Sequence, residues 1–121
     1  MSRKRVLVVD PNPSTRAVVN IGLEEFGFEI HQCADLAAAA QLVAEIAPEA
    51  LIVGLDSNAE DTLQVLQDWR VNLARPIAIV ALLEAENLPE AFTPGIRWLR
   101  KPFGLTSLLA ALYQSLGLKV A

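Results

Sequence analysis

Val6-Leu7-Val8-Val9 is apolar at every position and stops at Asp10-Pro11-Asn12-Pro13. A run with no polar alternation has no solvent face, so it predicts a strand covered on both sides, as in a parallel sheet. From Pro13 the period changes to that of a helix. Asn12 suits the cap and Pro13 the first turn. Val18, Val19, Gly22, Leu23 and Phe26 fall on one side before Gly27 offers a left-handed stop. The same alternation of strand and helix then repeats. Phe28 to Cys33 predicts a short second strand, and Asp35 caps a helix with Leu36, Ala39, Val43 and Ile46 inward until Pro48. Ala50-Leu51-Ile52-Val53 predicts a third strand. The polar stretch Asp56 to Thr62 leads into a helix carrying Leu63, Leu66 and Trp69 on one side.

Pro76 to Val80 predicts the fourth strand, and Pro89 and Pro94 leave room for only a short or irregular helix in the segment Glu84 to Pro94. Ile96 to Arg100 predicts a fifth strand. Leu105, Leu108, Leu109, Leu112 and Leu116 mark a closing amphipathic helix that Gly117 ends. The pattern is strand–helix five times over, an α/β chain whose strands are parallel and whose right-handed crossovers cover both faces of an open, doubly wound sheet. With 121 residues and no linker or repeat, one domain over 1–121 is expected, as part of a longer native chain or alone.

Composition narrows the function classes. The net charge of −4 is scattered, so no basic face advertises nucleic acid as a partner. Ser2-Arg3-Lys4-Arg5 precedes too short an apolar run for a signal core or a membrane span. Cys33, the only cysteine, excludes an internal disulfide or a CxxC site and fits a reducing cytoplasm. His31, also single, and Cys33 read as ordinary residues of an edge strand. Ser14 and Thr15 read as helix-start residues rather than a phosphate cradle, and no nucleotide-binding glycine motif is present.

In open parallel sheets chemistry gathers at the carboxyl ends of the strands. The positions expected there are Asp10, Gly54, Ala81 and Lys101. Three stretches around them resemble response-regulator receiver domains: Val6 to Asp10 with Pro13 to Arg16, Leu63 to Leu66, and Trp98-Leu99-Arg100-Lys101-Pro102-Phe103. The resemblance covers Arg5 to Leu116 and implies a flavodoxin-like sheet in the order 2-1-3-4-5. It also implies transfer of a phosphoryl group from a histidine kinase to an aspartate ending the third strand. An acidic pair and Mg²⁺, a Thr or Ser after the fourth strand and a Lys after the fifth would assist.

Counted without gaps from Pro48, the acceptor position holds Gly54, and Asp61 holds the acid before the next helix. Glycine has no oxygen with which to form an acyl phosphate. Of the acidic pair Asp10 remains and Pro11 replaces its neighbour, so Mg²⁺ binding is expected to be weak or absent. Ala81 takes the Thr position without a hydroxyl. Lys101 is left to pair with Asp10 in an exposed contact worth ~0 to 1 kcal/mol, and Lys101-Pro102 keeps the family's turn. The expectation is a degenerate, non-enzymatic receiver that binds a protein partner of a bacterial signalling pathway. Its partner face would hold Arg97, Trp98 and Arg100, with a homodimer through the Glu84–Pro94 segment, the fifth strand and the closing helix. Two alternatives are a phospho-accepting receiver using Asp56 with Mg²⁺, and a flavodoxin-like cofactor module.

Overall fold

The computed structural model describes residues 3–55, 59–72, 77–84, 96–101 and 103–118. Strand β1 (Arg5–Val9) leads to α1 (Pro13–Glu24), β2 (Glu29–Cys33), α2 (Leu36–Ile46) and β3 (Ala50–Gly54). Helix α3 (Ala59–Asn72), β4 (Ala78–Glu84), β5 (Ile96–Lys101) and α4 (Leu105–Leu116) follow. All pairings are parallel, in the order β2-β1-β3-β4-β5. The doubly wound sheet is therefore as expected.

Residues along each central strand alternate between two cores. Leu7, Val9, Leu51, Val53, Ile79 and Ala81 pack on the side that Ala39 and Val43 of α2 and Leu66 of α3 cover. Val6, Val8, Ile52, Val80 and Leu82 pack on the other, beneath Val19 and Leu23 of α1 and Leu108 and Leu112 of α4. Burial on both faces is the physical reason these strands are apolar at successive positions. Trp69 and Trp98 pack, partly buried, against the first of the cores.

The structure moves three expectations. Helix α1 ends at Glu24, and Val18 and Phe26, read as inward, are 66% and 50% exposed. Val19, Gly22 and Leu23 form the buried face instead, turned one residue from the expected centre. Strand β4 runs to Glu84 instead of stopping at Val80, because both neighbours continue to pair with it: Gly54 is opposite Leu82, and Lys101 is opposite Glu84. Ala81 consequently lies inside the strand, between Val53 and Trp98, and not at its carboxyl end. The short helix expected after Glu84, Asp56, Pro102 and the side chains of Asp61 and Leu63 lie outside the described residues.

Candidate functional site

The chain leaves β1 at Asp10, whose N–H donates to the Cys33 carbonyl at 3.2 Å, and turns at once into α1. Asn12 makes that turn. Its N–H donates to Asp10 Oδ1 at 2.8 Å, and its side-chain oxygen accepts from the Ser14 N–H at 2.9 Å, capping the helix. Arg16 Nη1 donates to the Asp10 carbonyl at 2.6 Å. The backbone and side chain of Asp10 are thus held from both sides.

Strand β3 ends beside it, at Gly54. A Cβ built on Gly54 would overlap Asp10 Oδ2 and lie 2.6 Å from Asp10 Cγ. The Asp10 carboxylate therefore occupies the space that a side chain at position 54 would need. From β5, Lys101 Nζ donates to the same Oδ2 at 3.0 Å. Asp10, Gly54 and Lys101 come together at one corner, while Ala81 stays within its strand and offers only a methyl group.

The ion pair forms as expected, but its setting corrects the expected exposure. Asp10 is only 1% exposed and is the one buried charged residue among those described, whereas the Lys101 side chain is 20% exposed. The missing side chain at 54 lets the carboxylate sink between the strand ends. Removing a single partner of a buried pair leaves an uncompensated charge and costs about 3–5 kcal/mol. That is well above the value of an exposed pair. Both Asp10 oxygens have partners, and no buried side-chain polar atom among the described residues lacks one.

This donor set does not fit Mg²⁺. Among the described residues the corner offers one carboxylate with both oxygens engaged, and neither Pro11 nor Gly54 contributes a side-chain oxygen, whereas Mg²⁺ requires near-octahedral oxygen ligation. Among the described residues no group of three or more His, Cys, Asp or Glu side chains could hold a metal.

The remaining sequence candidates scatter. On β5, Trp98 turns toward the core while Arg97 and Arg100 are exposed, with Arg97 and Trp98 on opposite faces by strand alternation. His31 bonds through Nε2 to Glu29 at 2.9 Å, away from the strand-end corner. Burial, with the Asp35 charge second, pushes the Cys33 thiol above its ordinary value, the reverse of an activated thiolate. What sequence reading missed is the seat of the Asp10 carboxylate. Its only signal was Gly54 itself, read as a loss rather than as room for a neighbour.

The five-stranded order and the strand-end corner define a receiver domain of the response-regulator class, the signal-accepting module of two-component systems. The chain belongs to the VpsR domain family, which matches residues 1–92. It is 28% identical over 109 residues to the transcriptional regulatory protein PhoP of Escherichia coli, covering 88% of this chain and 49% of that protein. It is 26% identical over 111 residues to the DNA-binding dual master transcriptional regulator RpaA of Synechocystis, covering 88% and 46%. The chain thus spans about half the length of these curated relatives. The signal receiver domain of a response regulator from Bermanella marisrubri shares the fold with a TM-score of 0.81 at 24% identity, covering 93% of this chain and 98% of that one. No described helix is long and apolar enough to cross a membrane.

Proposed function

We propose that this receiver acts as a phosphorylation-independent protein-interaction module in a bacterial two-component or phosphorelay pathway. The carrying observation is the position of the Asp10 carboxylate, which fills the side-chain space of Gly54 and engages Lys101 at 3.0 Å. In a phospho-accepting receiver that lysine contacts the phosphoryl group. Here its counter-charge is built into the chain, so the corner holds one arrangement without a phosphoryl group or Mg²⁺. The domain then signals by docking. The proposed partner face is the β5 edge of the sheet beside α4, with Arg97 exposed on the α4 side, Arg100 exposed on the other, and partly buried Trp98 packed on the core between them, since Trp and Arg dominate binding hot spots. The partner is a protein of the pathway, with no nucleic acid or membrane bound through this domain.

Incubation with a small phosphodonor and Mg²⁺, followed by intact-mass measurement, tests this. The expected result is unmodified mass. A stoichiometric phosphoryl adduct overturns the proposal, and loss of that adduct in Asp56→Asn would assign it to Asp56.

A further inference from the structure

Helix α1 turns Val19, Gly22 and Leu23 inward and leaves Val18 and Ile21 66% and 63% exposed. Ser14 and Glu25 are exposed as well. Beside exposed Ala17 and Glu24, one outward line therefore runs Ser14, Val18, Ile21, Glu25, at intervals of four, three and four residues. That is the spacing of the seam along which two helices pack with knobs in holes. The pair at the centre is apolar and the ends are polar. The series is also symmetric about its midpoint. A second α1 crossing antiparallel between Val18 and Ile21 sets Val18 against the other copy's Ile21, and Ser14 against the other copy's Glu25.

Charge selects the antiparallel sense. Helix α1 has no acidic residue in its first turn and no basic residue in its last. Its acids, Glu24 and Glu25, stand at the carboxyl end, where the helix dipole is already negative. For a lone helix this placement is unfavourable. In an antiparallel pair each acidic end lies against the positive first turn of the other helix, whereas a parallel pair stacks acid on acid. The flank of the stripe is shaped for contact too. Leu105, 38% exposed, lies so close over Gly22 that a Cβ there would come within 2.6 Å of Leu105 Cδ1, and this brings the start of α4 against α1.

We propose that the outer face of α1 is a self-association surface, on which a second copy of this chain docks antiparallel about a two-fold axis between Val18 and Ile21. The inference rests on the reading of the domain as an interaction module and adds a surface distinct from the β5 face. An isologous contact centred on two apolar residues per copy is small, so the dimer is weak and reversible.

Sedimentation equilibrium of the full 121-residue chain up to about 500 µM tests it. The wild type is expected to dimerise with rising concentration. Ile21→Glu should weaken the dimer at least ten-fold while its circular dichroism stays unchanged, since Ile21 touches little of the core. Ser14→Lys, facing the other copy's Glu25, should tighten it several-fold at low salt, with the gain lost at high salt. A wild type that stays monomeric throughout overturns the proposal and leaves the stripe to a helix of a different protein. A dimer that Ile21→Glu leaves intact also overturns it, placing self-association elsewhere. Intact mass after phosphodonor treatment is read separately, so an adduct counts against the interaction-module reading and not against the dimer.

Discussion

Two ionic clusters, built from similar side chains, sit at different depths in the sheet. Between the strand ends, Asp10 and Lys101 meet at 3.0 Å with Asp10 only 1% exposed. On the edge strand β2, Glu29 meets Arg5 of the neighbouring β1 at 3.2 Å and His31 at 2.9 Å, with the Glu29 side chain 40% exposed. The distances are nearly equal, so distance does not separate them. Depth does: water can take over either partner of the edge cluster when the other is removed, whereas the Asp10 carboxylate, buried at the strand ends, has almost no contact with water. The inner pair is therefore costly to break, while the outer one adjusts readily.

The sharpest way to break this comparison is Lys101→Met, which keeps the side chain's length and strands the Asp10 charge. It should cost about 3–5 kcal/mol of stability by urea unfolding. A cost under about 1 kcal/mol would put the inner pair on a level with the outer one. Next comes Gly54→Ala, whose added methyl must displace the Asp10 carboxylate. Overpacking of this kind costs about 1–3 kcal/mol. Asp10→Ala and Gly54→Ala made together should cost less than the two single changes summed, a non-additivity expected only if the two positions share one space.

The smallest effect belongs to the edge. The hydrogen bond from His31 outweighs the opposing desolvation and, with the lesser help of the Arg5 charge, holds the Glu29 carboxyl below its ordinary 4.5. A lowered carboxyl stabilises the fold above its ordinary value and loses that contribution as the pH falls through the lowered one. Acid titration should therefore show Glu29→Gln matching the wild type below that range and trailing it slightly near neutrality. High salt should reduce even this gap.

Much of the scaffold was legible because burial on both faces writes itself as continuous apolar runs, as in Val6 to Val9 and Ala50 to Val53. Where the run has no polar terminator the limit blurs: Ile77 to Leu83 is apolar throughout, so nothing local ends β4 at Val80. The face of α1 was ambiguous for a related reason. Val18, Val19, Ile21, Gly22 and Leu23 leave two overlapping apolar arcs, and tertiary packing chose the one through Val19 and Leu23. At the corner, the pairing of Asp10 with Lys101 could be read from the resemblance to receiver domains, though not from strand order, which sets β3 and β4 between them. Its burial could not, because it depends on a void left by one residue and filled by another 44 positions away.

That void also couples what residue 54 can be to where Asp10 sits. Aspartate introduced at position 54 by itself places a second carboxylate where the first already sits, facing a single lysine. Accommodating it needs a coordinated retreat of Asp10, so the single substitution gives a less stable protein. Occupancy of that seat by Asp10, and not the identity of residue 54 alone, is what shuts a side chain out of the corner.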